Sequence, residues 1–355
     1  MADQLASLCS AGSSGSAGST GSAGDGGYDL DRVPDVYGGG IVAELETRVA
    51  ELLGKPAAAF FPTGTMAQQV ALRIWSEKAA NSTVALHPLH HPEMYERKAF
   101  SALTGLRSVW PTTESRQPTA DEIRNLDEPF STILIELPLR EAGFLLPIFA
   151  ELTEMCSAAW ERGAYVHFDG ARLWESTTYL DADLATISAL ADSVYVSFYK
   201  SLEGLGGAVL AGDEAFVNAA KAWRHRHGGQ IFTQWPTVLS ALIGLDRELP
   251  RLPSYVAHAR VVAEALATLP GAVVYPNPPH THQFQLWLPY PEQALKDATL
   301  ALAEEEKTRF VGGWSARPPG DRCVTEVTIG SAALEWSAED VVEVGMAFLK
   351  RVKAT

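Results

Sequence analysis

Apolar and polar positions change rhythm several times along the chain, and each change marks an element. Val84-Ala85-Leu86, Thr132 to Leu137, Tyr165 to Phe168, Val194 to Tyr199 and Ala208 to Leu210 are short, almost continuously apolar runs rich in β-branched and aromatic residues. Such runs predict strands buried on both faces. Helical spacing separates them: Ile41, Leu45, Val49 and Leu52 share one helix face until Gly54 ends the run, and residues 148–162 and 214–225 are patterned as helices too. The alternation predicts an α/β domain with a mainly parallel central sheet flanked by helices. In such domains ligands bind beyond the C-terminal ends of the strands. After Glu248-Leu249-Pro250-Arg251-Leu252-Pro253 the texture changes. Helices near 254–268, 291–307 and 338–353, with strands near 283–288 and 324–329, predict a smaller α+β domain. The expected division is therefore 28–250 for the large domain and 251–355 for the small one. Residues 10–27 are almost wholly Ser, Gly, Ala and Thr, so residues 1–27 read as a flexible tail that cannot bury enough surface to become ordered.

Composition narrows the partners. With 28 basic against 43 acidic residues the net charge is −15, which argues against nucleic acid or an anionic membrane surface. The chain has no apolar run long enough to span a bilayer. Its three cysteines, Cys9, Cys156 and Cys323, are too few and too scattered for a disulfide framework. A reducing, cytoplasmic setting and a small-molecule ligand are the expectation.

The residues that follow the predicted strands carry the chemistry. Lys200 closes the run Val194 to Tyr199. An ammonium at the exit of a buried strand is poorly solvated, and the neutral amine that results can attack a carbonyl; the alternative is a lysine that snorkels to water. Asp169 and Arg172 follow Phe168 and set an anion and a cation in one crevice, unless they serve only as a helix cap and an ion pair. Thr63-Gly64-Thr65 leads into a long helical pattern, where unpaired amides can hold a phosphate, or where Thr63 is simply the N-cap. His87, His90 and His91 lie in a proline-interrupted loop without cysteine, which disfavours a metal and favours an imidazole that stacks on a ring or moves a proton. Together these features call for pyridoxal 5'-phosphate. Lysine would hold the aldehyde, aspartate the pyridine nitrogen, histidine one face of the ring and the turn the phosphate.

From Asp35 onward the chain resembles the threonine aldolase and β-eliminating lyase family of fold type I pyridoxal phosphate enzymes. Asp35-Val36-Tyr37-Gly38, Phe61-Pro62-Thr63-Gly64-Thr65-Met66-Ala67 and His167-Phe168-Asp169-Gly170-Ala171-Arg172 carry the likeness. The resemblance implies Gly64 and Thr65 as phosphate ligands, His91 as the stacking histidine, and Glu96, five residues on, as a substrate-binding candidate. It also implies Asp169 at the pyridine nitrogen, Arg172 at the substrate carboxylate and Lys200 as the covalent anchor. Arg322-Cys323-Val324-Thr325 is similar to a segment that implies a second carboxylate arginine, Arg322. Trp223-Arg224 and Gly228-Gly229 resemble a segment that approaches a neighbouring subunit, which implies a homodimer or homotetramer with the active site at the interface.

The activity implied is cleavage of a β-hydroxy-α-amino acid to glycine and an aldehyde, with β-elimination or transamination of another amino acid as the rival. Three departures matter: the family's opening Arg-Ser-Asp-Thr strand, whose serine reaches the substrate carboxylate, is replaced by the Gly/Ser tail and Tyr28-Asp29-Leu30, and two more follow. The family's Asn-Thr-His-Asn loop, whose histidine contacts the β-hydroxyl, is replaced by Pro138-Leu139-Arg140-Glu141-Ala142-Gly143, so Arg140 and Glu141 become candidates for substrate contact or for a plain ion pair. The phosphate-binding arginine expected after Gly228-Gly229 is missing from Gln230 to Gln234.

Overall fold

A computed structural model describes residues 35–317 and 322–353. The tail expected over 1–27 lies outside the described residues, as do Tyr28, Asp29 and Leu30. The first described helix, α1 (Ile41–Leu52), buries Val42, Leu45 and Val49 and leads into strand β1 (Ala57–Phe61). Side chains of β1 alternate between the two faces of the sheet. Ala58 and Phe60 join the core that contains α1, and Ala59 and Phe61 join the core under helix α2 (Gly64–Ala79). Each fully buried phenylalanine contributes about 1.5–3 kcal/mol.

Strands β2 (Thr83–Ala85), β3 (Arg107–Val109), β4 (Thr132–Glu136), β5 (Tyr165–Gly170), β6 (Ser193–Ser197) and β7 (Ala208–Gly212) complete a seven-stranded sheet of order β1-β7-β6-β5-β4-β2-β3. Neighbours run parallel from β3 through β6. Strand β7 runs antiparallel to both β6 and β1. The reason is local: the connection Phe198–Gly207 contains no helix, and a parallel crossover needs one or a similar length of chain. Strand β6 also stops at Ser197, short of the expected Tyr199. The carbonyl of Phe198 accepts the Gly204 amide at 2.8 Å and that of Lys200 accepts the Glu203 amide at 3.0 Å, so the backbone turns away before Lys200. Helix α3 (Phe149–Glu161) covers the α1 face, and α4 (Glu214–Arg226) covers the α2 face.

Helices α5 (Trp235–Arg247) and α6 (Leu252–Ala267) lead to a second sheet made of β8 (Val273–Tyr275), β9 (Gln283–Leu288), β10 (Ser315–Ala316) and β11 (Cys323–Thr328). Its order is β10-β11-β9-β8 and every pairing is antiparallel. Helices α7 (Glu292–Glu306) and α8 (Ala338–Val352) accompany it, α8 burying Val341, Phe348, Leu349 and Val352. Among the described residues no helix is long and apolar enough to cross a membrane.

Candidate active site

Three strands deliver polar side chains to one level of the large sheet. Glu136 on β4 lies opposite Asp169 on β5, and Asp169 lies opposite Tyr195 on β6. Beyond them is a cavity of about 280 Å³ whose lining includes Gly64, Thr65, Gln68, His91, Asp169 and Lys200. The lysine, aspartate, histidine and phosphate-turn residues singled out from the sequence therefore share one space.

Lys200 has its amine pKa lowered to about 8, first by burial and then by the charge of Arg172; the carboxylates Asp169, Glu136 and Glu175 oppose the shift. The carboxyl of Asp169 is raised by burial, against the charge of Lys200 and the amide of Ala171 that donates to its Oδ1 at 3.1 Å. Behind the lysine turn, the Ser201 hydroxyl donates to buried Glu175 at 2.7 Å, with His282, just ahead of β9, 3.5 Å from the same carboxylate. The turn is thereby tied to the segment that follows β5 and to the residue that precedes β9.

Helix α2 begins at the wall of this cavity. Thr63 is its N-cap, with Oγ1 accepting the Met66 amide at 3.3 Å. Gly64 is required by close approach, because a Cβ there would stand 2.1 Å from the Tyr195 hydroxyl oxygen. His91 lies on the cavity, its Nδ1 3.2 Å from Glu96, whose other oxygen accepts Gln69 Nε2 at 2.7 Å. His87 and His90 do not reach the cavity lining. Both are buried, the His87 amide donating to His90 Nδ1 at 3.3 Å and the His87 ring bonding the Glu114 carbonyl at 2.7 Å.

Glu136 escaped the sequence reading. It accepts the His91 amide at 3.0 Å and the Arg140 amide at 3.2 Å, and so ties the His91 loop at the cavity to the loop that follows β4. Burial and the neighbouring charge of Asp169 raise its pKa to about 7. The available signal was the same as for Asp169: a lone carboxylate closing an otherwise apolar strand.

The arginines divide. Arg172 keeps a guanidinium with no ion pair among the described residues. Its Nε is buried without a partner, and its carbon lies 5.4 Å from the Phe144 ring. Arg140 is engaged by Glu326 at 2.9 Å and Glu141 at 3.3 Å. Buried Glu141 also takes Arg317 at 2.6 Å and the Tyr95 hydroxyl at 2.5 Å, so the Arg140–Glu141 ion pair is part of a larger, partly buried network. The structure does not bring Arg322 to the Lys200 cavity. Its Nη1 donates to the Gly271 carbonyl at 2.8 Å, and its side chain lines a separate cleft with Tyr275, Trp287 and Arg317. Arg224 is buried against the Phe60 carbonyl and Glu46, at 2.5 and 3.2 Å.

The model of the β-eliminating lyase family matches residues 18–287. The chain belongs to that family. A protein of Listeria monocytogenes EGD-E taken to be an L-allo-threonine aldolase is 36% identical, with 91% of this chain and 90% of that chain covered and a TM-score of 0.86. Low-specificity L-threonine aldolase 1 of Arabidopsis thaliana is 28% identical over 241 residues, 64% of this chain and 66% of its own length. The Escherichia coli K12 low specificity L-threonine aldolase is 28% identical over 243 residues, 65% of this chain and 71% of its own. The chain thus spans just under two thirds of the Arabidopsis relative. Like its family, it has the fold of the fold type I enzymes.

Members of the β-eliminating lyase family depend on pyridoxal phosphate. The cavity fits that group on its own terms: a buried carboxyl, an amine of lowered pKa, a glycine where a Cβ has no room and a buried amide nitrogen of Gln68 without a partner.

Proposed function

We propose that this chain binds pyridoxal 5'-phosphate and cleaves a β-hydroxy-α-amino acid to glycine and an aldehyde. The observation that carries the reading is the Lys200 amine, held near a pKa of 8 in the same cavity as the buried Asp169 carboxyl. Lys200 would hold the cofactor aldehyde, Asp169 the pyridine nitrogen, His91 a ring face, and Gly64 and Thr65 the phosphate. Bound there, the cofactor supplies a sink for the electron pair released when a bond to the substrate Cα breaks.

The protein's own residues do the rest. The unpaired guanidinium of Arg172 binds the substrate carboxylate by a forked, charge-assisted pair. Glu96 orients His91 through Nδ1, which leaves Nε2 to accept the β-hydroxyl proton. The lowered pKa of Lys200 suits Nζ to return a proton to Cα near neutral pH. Arg140 and Glu141 lock the 137–145 loop to Glu326 of β11 and to Arg317. On this reading the cavity belongs to a cofactor domain of residues 28–250, and residues 251–355 form a smaller domain. The exposed, T-stacked pair Tyr37 and Phe232 supports a surface covered in a homo-oligomer.

Purified protein should absorb near the visible edge, and borohydride or Lys200→Ala should abolish the band. Given a panel of β-hydroxy amino acids, it should release glycine and the matching aldehyde in equal amounts. Turnover that yields a keto acid or ammonia without glycine would replace this reading with transamination or β-elimination.

A further inference from the structure

One chain of buried hydrogen bonds starts from a fixed donor at Trp75, and the tautomer of His167 sets the polarity of the rest. The indole of Trp75 can only donate, and it donates to Ser193 Oγ at 2.8 Å. The hydroxyl proton of Ser193 is then free to point at His167 Nδ1, 2.7 Å away. His167 is wholly buried and neutral, its pKa lowered to about 3 by that burial. With Nδ1 accepting, its one proton sits on Nε2, which faces Gln68 Oε1 at 3.0 Å. Gln68 is thereby oriented with its carbonyl inward. Its Nε2 is a buried donor with no acceptor, although the side chain lines the Lys200 cavity.

Position on the helix says where that donor is aimed. Gln68 stands four residues after Gly64 and three after Thr65, on the same face of α2, and helical side chains lean toward the N-terminus. We infer that Gln68 Nε2 is a binding donor to the phosphate of the cofactor, held in that orientation by Trp75, Ser193 and His167 as positioning residues. The inference rests on the proposed pyridoxal phosphate site and adds to it a neutral side-chain donor, one helical turn deeper than the turn amides. It also assigns the histidine of His167-Phe168-Asp169 to orienting Gln68, with no proton to exchange at neutral pH.

The test compares two ligands that differ only in the phosphate. Full-length wild type and Gln68→Glu are titrated with pyridoxal 5'-phosphate and with pyridoxal, reading the absorbance of the lysine-bound form and the melting temperature. Gln68→Glu keeps an acceptor for His167 but sets an anion against the phosphate, so Gln68→Met, which removes the donor without adding charge, is titrated beside it and must show the same phosphate-selective loss. A hydrogen bond to a charged group predicts roughly a 10- to 150-fold loss of affinity for pyridoxal 5'-phosphate, with pyridoxal affinity nearly unchanged. Trp75→Phe should reproduce part of the same phosphate-selective loss. Equal losses for the two ligands, or no loss for either, overturn the inference and leave the cofactor reading standing. Capture of neither ligand by the wild type overturns both. If Gln68→Glu does not fold, the same ratio measured on Gln68→Met decides.

Discussion

The amine of Lys200 offers the sharpest quantitative test. Its pKa falls from 10.5 to about 8 because burial and the adjacent Arg172 cation outweigh Asp169, Glu136 and Glu175. At pH 7 about one amine in eleven is then neutral, against about one in three thousand for a solvated lysine, a roughly 300-fold difference in reactive species. Cofactor-free protein mixed rapidly with limiting pyridoxal 5'-phosphate, with Lys200→Ala as the blank, reads this directly as the pH dependence of the capture rate. The rate should rise with a midpoint near pH 8. Stability should follow with a defined sign. The folded-state pKa lies below the unfolded one, so the cost of burying the cation is fully present below about pH 8 and is relieved as pH rises toward 10.5. Across that window the cofactor-free protein should gain up to about 3 kcal/mol from this group. A capture midpoint near 10.5 and no gain in stability would show a solvated amine and refute the reasoning.

Other consequences are cheaper to check. Asp169→Asn should still capture the cofactor at Lys200 but lower turnover by about 10- to 150-fold, the worth of a charge-assisted hydrogen bond, measured as glycine release. In Gly64→Ala the new Cβ meets the Tyr195 hydroxyl at 2.1 Å, so thermal unfolding should show a loss of about 1–3 kcal/mol from overpacking; adding Tyr195→Phe should recover part of it. Arg140→Ala leaves buried Glu141 with only Arg317 and Tyr95; it should cost about 1–3 kcal/mol while KM moves little. A large rise in KM at unchanged melting temperature would instead make Arg140 a substrate ligand.

The sequence by itself determined where the strands lie and where the helix after the phosphate turn begins, though not that β6 stops at Ser197. Apolar runs closing at Asp169 and near Lys200, and a Thr-Gly-Thr turn ahead of a helical pattern, are local signals carried by residues a few positions apart, and the family motifs sit on those signals. Local signals do not say which strand lies beside which. Register alone set Glu136 beside Asp169, and a helix-free connection turned β7 against its neighbours. Long side chains were the least legible. Arg140 reaches Glu326 across 186 positions, and Arg322 settles on Gly271 instead of the cavity. The polarity of Gln68 emerged only when Trp75, Ser193 and His167 were seen to close one chain of donors and acceptors. The physical division is one of range: periodicity and turn chemistry are written in near neighbours, whereas a buried charge or amide is decided by whatever the tertiary packing brings to it.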